Sequence, residues 1–427
     1  MSLETSTFVA KSNNMDEQNM EMKAGIQFNI PQDKTEHLIK VIGVGGGGGN
    51  AVKSMYEKGV KNVSFAVCNT DSQALSKSPI PVRVQLGEEG LGVGGDPAKG
   101  REKAEESMSD IEQLFDKETK MVFLTAGLGG GTGTGAAPLI AKAARERDIL
   151  TVGVVTLPFR FEKKARMEKA LAGVEQMRNN VDALLVVSNE RLLEIYSDSM
   201  LSIDEAFGKA NDILTVATKT ISEVITNEGI VNRDFKDVET VMKDSGGAIV
   251  TVGYGSGEKR IIKAMKDALN SPLLNTKEIE NAQRLLYIIY TCNEKPVSIT
   301  ELGEINAFMD TLPEDLEVLW GLYHDDTIGD QVKVAVVATG FDKEREHRRT
   351  AEENNDIMKK LWAMYYPEHS PFKQEEPVTQ EVEVSRPEEA EEMVASEENP
   401  DDSDVKPKRR SWFNSFVDFV KGTLEEE

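Results

Sequence analysis

Two glycine-dense stretches are the residues of this chain whose types and spacing suit chemistry. The first stretch, GVGGGGGN, runs from Gly43 to Asn50, and the second, GGGTGTG, from Gly129 to Gly135. Each follows an apolar run that reads as a strand and precedes a run that reads as a helix start. Glycines at such a junction let backbone N–H groups approach an anion closely. The helix N-terminus adds partial positive charge, and threonine hydroxyls can donate further bonds. The composition suits a cradle for phosphates. Gly43, Gly45 and Gly48 also satisfy the G-x-G-x-x-G pattern of dinucleotide-binding turns, although a five-glycine run meets many patterns and a tight turn without ligand is the lesser alternative. A dinucleotide domain needs one such loop, whereas this chain has two. A P-loop carries Gly-Lys-Ser/Thr, and that triplet is absent. Two carboxylates, Asp234 and Asp237, stand three residues apart in VNRDFKDV, on one side of a helical turn. Alone they read as a helix N-cap pair.

Holding these groups requires a sheet. Strand-like runs occur at Leu38–Val44, Val63–Cys68, Met121–Ala126, Leu150–Thr156 and Ala183–Ser188, separated by amphipathic stretches such as Lys163–Asn179. Near-continuous apolar strands between helices indicate a parallel sheet covered on both faces. A longer helix, Ser202 to Thr226, opens with a Ser-Ile-Asp-Glu capping box. Further strands at Ala248–Tyr254, Leu286–Cys292, Leu316–Leu322 and Val332–Thr339 read as a second α/β domain.

Bulk properties narrow the classes. A chain of 427 residues suggests two or three domains, and its formal charge of -24 repels a polyanion, so nucleic acid is not expected as a partner. Cys68 and Cys292 lie in apolar runs and read as free thiols in a reducing compartment. The four histidines show no metal-ligand spacing. No apolar run approaches the roughly 20 residues of a membrane span, and the N-terminus lacks a signal-peptide core; the chain reads as cytoplasmic. Between Gln374 and Val405 there are thirteen acidic side chains and one basic one, which reads as an extended linker.

GGGTGTG resembles the signature loop of the tubulin and FtsZ GTPases. The resemblance continues in order through VIGVGGGGGNAV, NTDSQAL, GGDPAKG, LTAGLGGGTGTGAAPLIA, TVGVVTLPFRFE and NRDFKDVETVM, from about Leu38 to Phe341. It implies a Rossmann-like parallel sheet joined by a long central helix to a second α/β domain. The divisions expected are 1–37, a flexible extension; 38–201, the GTP-binding domain; 202–227, the central helix; 228–342, the C-terminal α/β domain; 343–405, the acidic linker; and 406–427, an amphipathic tail helix. The activity implied is that of a polymerising GTPase of the bacterial division ring, working beneath the inner membrane. GTP or GDP would be bound, with Mg2+ carried on the nucleotide. The competing classes are a non-polymerising Rossmann enzyme and a tubulin-fold regulator that binds GTP without forming a ring.

Carried over residue by residue, the resemblance gives Gly46, Gly47, Gly48, Gly49 and Asn50 to the first nucleotide loop. Gly130, Gly131, Thr132, Gly133, Thr134 and Gly135 form the second. Asn69 and Asp71 flank Thr70 in a strand-end loop, which alone reads as an ordinary turn. Glu162 would bind the ribose and Arg166, four residues on, would reach ribose or phosphate; alone they read as a surface ion pair. Relatives usually carry Gly after that Glu, and here it is Lys163. Asn189 and Asn211 would select the base, with Phe207 stacking on it, although Asp212 stands next to Asn211 and Phe207 alone also reads as core. Asn232, Asp234 and Asp237 would complete the active site of the next subunit in a head-to-tail stack, because a helix of about 25 residues spans roughly 37 Å and separates them from their own nucleotide.

The end of the chain departs from the family. Relatives usually finish in a short peptide with a proline and a Leu-Arg pair. Here Trp412, Phe413, Phe416, Val420 and Leu424 recur at helical spacing behind Lys406, Lys408, Arg409 and Arg410. Residues 406–424 are expected to dock on division-protein membrane tethers and regulators, with weak direct membrane contact as the alternative.

Overall fold

The computed structural model describes residues 37–195, 202–269, 282–341 apart from 311 and 315, 351–366, and 371. The N-terminal extension and the 406–427 tail lie outside the described residues.

The nucleotide half alternates strands and helices. Its strands are β1 (Ile39–Val44), β2 (Val63–Asn69), β3 (Val82–Gln85), β4 (Met121–Gly127), β5 (Leu150–Leu157) and β6 (Ala183–Ser188). Between them run α1 (Gly45–Glu57), α2 (Ser72–Ser76), α3 (Pro97–Glu106), α4 (Met108–Glu112), α5 (Thr132–Arg145) and α6 (Lys164–Asn180), followed by α7 (Asn189–Ile195). The strands pair in the parallel order β3-β2-β1-β4-β5-β6. Their side chains are buried on both faces, as near-continuous apolar strands require.

Helix α8 (Ile203–Thr226) links this sheet to the other half. That half contains α9 (Phe235–Met242), β7 (Gly246–Gly255), α10 (Arg260–Leu269), β8 (Arg284–Thr291), α11 (Ile299–Met309), β9 (Glu317–His324) and β10 (Val332–Thr339). The two halves share one ten-stranded sheet, continuing β6-β7-β10-β8-β9. The join is slender: β6 and β7 pair through Ala183 with Gly246 and Leu184 with Gly247.

Three features differ from the sequence expectations. Helix α1 begins at Gly45 and not at Ala51, so the five-glycine run is itself helical. The short strand β3 is an addition at the sheet edge. The fold also resumes inside the stretch expected to be linker from residue 343: helix α12 (Ala351–Tyr365) buries Leu361 and Trp362, and Tyr366 directly after it is buried too. The acidic composition read across that stretch belongs to its later part. Residues 357–366, IMKKLWAMYY, carry an apolar helical face that outweighs the charge.

The capping box expected at the start of α8 is present: Glu205 N–H donates to Ser202 Oγ, and Ser202 N–H to Glu205 Oε2. The far end of α8 is anchored three ways. Asn62 Nδ2 donates to Thr226 Oγ1 at 3.1 Å, and the Tyr323 hydroxyl donates to the Val224 carbonyl. Lys333 lies 3.4 Å from Glu223, 3.6 Å from Asp325 and 3.9 Å above the Tyr290 ring, nearly shut off from water. Removing one member of such a buried set leaves charge uncompensated. Lys333→Ala should destabilise the protein by about 2 kcal/mol, read from the denaturant midpoint at unchanged slope.

Candidate functional site

A parallel sheet delivers the carboxyl ends of all its strands to one edge, and there the two glycine stretches meet. They meet backbone to backbone. A Cβ on Gly48 would stand 2.2 Å from the Thr125 carbonyl oxygen, and one on Gly47 would stand 3.0 Å from Gly127 Cα. Gly45 has φ +70°, and a Cβ there would press on Gly133 N at 2.9 Å. Thr70 and Thr132 link their hydroxyls at 2.7 Å, tying the strand-end loop after β2 to the second stretch.

The glycines divide into two groups. Gly48, Gly131, Gly133 and Gly135 are bare because protein atoms fill the space: on Gly135 a Cβ would lie 2.0 Å from the Pro97 carbonyl oxygen, where α3 crosses α5. Gly46, Gly49 and Gly130 face nothing within 4 Å. A glycine inside a helix with open space before it loses about 1 kcal/mol against alanine, so packing does not explain it. Gly46 and Gly49 line a groove of about 220 Å³ with Asn50, Lys53, Asn69 and Lys77. Lys53 was not among the sequence candidates, yet it follows Gly49 by four residues and so shares its helix face.

Several expected ligand groups have protein partners. Asp71 caps α2, its Oδ1 accepting from Gln73 and Ala74 N–H. The Thr134 hydroxyl is buried and accepts from Gly129 N–H at 2.8 Å, so it braces the loop from within and does not face the groove. Thr132 is the more open of the two threonines. Cys68 lies under the groove, and burial pushes its thiol pKa up to about 12, which keeps it protonated.

Beyond β5 the chain turns through a short 3-10 segment, Arg160–Glu162. Glu162 accepts from Phe159 N–H at 2.9 Å and pairs with Arg166 at 2.9 Å, so the ion pair read from the sequence is present and closes the turn. Lys163 holds the turn at φ +78° and ψ 154°, a region that costs a side-chain-bearing residue about 1–3 kcal/mol. Phe207 is 41% exposed and meets the buried Phe159 edge-on, with centroids 4.9 Å apart, so it is not core. Asn211 lies one helical turn along from Phe207. Its neighbour Asp212 is paired with Lys58. Asn189 opens α7 and is buried, with its Oδ1 left without a partner. An orphaned buried acceptor is uncommon and fits a donor supplied by a ligand.

Asn232, Asp234 and Asp237 stand elsewhere. The α8 end next to them bonds to Asn62, just before the amino end of β2, and α9 leads into Gly246, which pairs with the first residue of β6. They therefore lie at the sheet edge opposite the glycine stretches. Asp234 caps α9 by accepting from Asp237 N–H at 3.0 Å, and Asp237 accepts from Asp234 N–H at 3.2 Å. Arg233 reaches Asp237 at 3.5 Å, and Asn232 accepts from Gly229 N–H. The N-cap pair read from the residues alone is thus present in the single subunit.

The comparisons agree with this architecture. The tubulin/FtsZ family GTPase domain matches residues 38–197, and the FtsZ family C-terminal domain matches residues 246–342. The cell division protein FtsZ of Porphyromonas gingivalis is 51% identical over 321 residues, covering 74% of this chain and 70% of that one. That of Aquifex aeolicus is 42% identical over 310 residues, covering 72% and 84%. Among solved structures, an empty FtsZ dimer from M. jannaschii superposes with a TM-score of 0.65 at 35% identity, covering 75% of this chain and 95% of that one. Fold and pocket together define a guanine-nucleotide GTPase of tubulin type. The chain belongs to the tubulin/FtsZ family, and its work is GTP hydrolysis in bacterial cell division and filament formation.

The two classes of glycine should separate experimentally. Gly48→Ala should cost about 3 kcal/mol or more of stability, because its Cβ meets backbone. Gly49→Ala should leave stability equal or up to about 1 kcal/mol higher, yet weaken binding of a fluorescent GTP analogue at least tenfold. Thermal melts and titrations of the two purified variants check both.

Proposed function

We propose that GTP lies across the glycine stretches and is hydrolysed only when a second subunit stacks on it. The observation that carries this reading is α8: its 24 residues span about 36 Å, and they begin beside the base platform and end beside Asp234 and Asp237. In this reading the open amides around Gly46, Gly49, Gly130 and Thr132 hold the phosphates, and Asn50, Asn69, Gly131 and Gly133 complete the cradle. Glu162 and Arg166 meet the ribose. Asn189 and Asn211 read the Watson–Crick edge of guanine, with Phe207 against its face. Asn232, Asp234 and Asp237 of the next subunit orient the attacking water. Such a contact is heterologous and does not close, so it grows filaments head to tail.

Mg2+ would ride on the β- and γ-phosphates, since neither glycine stretch carries a carboxylate. The chemistry it supplies is charge neutralisation on the phosphoryl oxygens. Among the described residues no helix is long and apolar enough to cross a membrane. We place the filaments in the cytoplasm as the division ring beneath the inner membrane, with residues 406–424 docking on tethers and regulators. The helical spacing of aromatic residues behind a basic cluster supports that docking.

Turnover per subunit should be negligible below a threshold concentration and rise above it. Asp237→Ala should reduce turnover at least a hundredfold and leave GTP affinity unchanged. Asp237→Asn retains an acceptor for the Asp234 N–H and so preserves the cap; it should lose turnover equally. Phosphate release measured across a dilution series checks this, and concentration-independent turnover would overturn the shared site.

A further inference from the structure

Helix α12 follows the C-terminal sheet in sequence, yet it packs on α6 of the nucleotide half. Leu361, Trp362 and Tyr366 are each 2% exposed and join the apolar cluster of Leu128, Leu157 and Met167. Leu128 immediately precedes the second glycine stretch, and Leu157 ends β5. Just beyond the helix, the Tyr366 hydroxyl donates to the Pro158 carbonyl at 2.9 Å in a buried bond. Burial, with the carboxylates of Glu190 and Glu162 nearby, pushes the phenol pKa up, so the donor proton stays in place.

Pro158 begins the turn that the pocket uses. Phe159, the next residue, is buried under Phe207, and its N–H is held by Glu162. Arg160 N–H donates at 2.7 Å to Glu190, the neighbour of Asn189. Base platform, ribose-side carboxylate and base-reading asparagine thus converge on one turn, and Tyr366 fixes its first carbonyl. Covering the apolar face of α6 would need Leu361 and Trp362 alone. It would not need a tyrosine whose hydroxyl is aimed at a turn carbonyl.

We propose that α12 is a positioning clamp on the nucleotide pocket. Docked on α6, it holds the turn over residues 158–162 in the geometry that receives base and ribose, and Tyr366 is its positioning residue. This rests on the nucleotide reading given above.

The test uses the full chain, made nucleotide-free and kept below the assembly threshold, titrated with a fluorescent GTP analogue. Tyr366→Phe removes one hydrogen bond and keeps the packing. It should weaken binding about fivefold, as expected for the net value of one hydrogen bond. In assembled protein the same variant should raise KM by a similar factor while kcat at saturating GTP stays within twofold. Trp362→Ala, which undocks the helix, should lose at least as much affinity. Tyr366→Phe that is folded by circular dichroism and shows unchanged affinity and KM overturns the clamp. A wild-type chain that fails to bind the analogue overturns instead the nucleotide reading beneath it.

Discussion

The length and rigidity of α8 govern the rest of this molecule. Twenty-four helical residues fix the distance between the edge where the glycine stretches meet and the edge where Asp234 and Asp237 sit. A helix free to fray would blur that separation, and this one is fastened at both ends. The Ser202–Glu205 box starts it, and Asn62 before β2, Tyr323 on β9 and Lys333 on β10 hold its last turns. The Tyr323 hydroxyl, which donates to Val224, also accepts from Arg233 N–H, so the helix end and the carboxylate loop are bound to the same phenol. Both poles are therefore positioned by one strut.

The polar groups of the carboxylate pole are arranged for self-sufficiency in the lone subunit. Asp234 and Asp237 complete each other's backbone bonds, and each leaves carboxylate oxygen capacity toward solvent. The nucleotide pole is the opposite. Asn189 holds a buried acceptor with no partner, Lys163 holds a strained turn, and Gly46, Gly49 and Gly130 face open space. In the reading proposed above, the nucleotide pole receives the ligand and the carboxylate pole serves a neighbour. An unpartnered acceptor and open glycines gathered at one pole fit the split pocket proposed above.

Much of the fold was legible in the sequence because its signals are local. Apolar runs marked β1, β2, β4, β5 and β6 to within a residue at most ends, and Ser-Ile-Asp-Glu marked the start of α8. What stayed hidden depends on contacts distant along the chain. No propensity makes five glycines helical; α1 starts at Gly45 because its backbone lies on Thr125 and Gly127, and side chains would prevent that approach. Likewise the composition of GGGTGTG pointed to a phosphate cradle but could not separate Gly130, which faces space, from Gly135, which faces Pro97. Helix α12 was masked by the acidic stretch that follows it, and its partner α6 lies far back in the chain. Residue type alone does not separate Asn211 from Asp212, and the ion pair of Asp212 with Lys58, just past the end of α1, is a contact distant along the chain.

The central claim is that a pocket and the carboxylates that serve it belong to different molecules. The most direct measurement mixes two variants, each inactive alone: one lacking the Asp237 carboxylate and one whose nucleotide groove is blocked at Gly49. Phosphate release is then followed in filaments that co-sediment with both. The account predicts that turnover reappears in the mixture and peaks near equal amounts, since an intact pocket then meets intact carboxylates. Co-sedimenting filaments no more active than the sum of their components would contradict it.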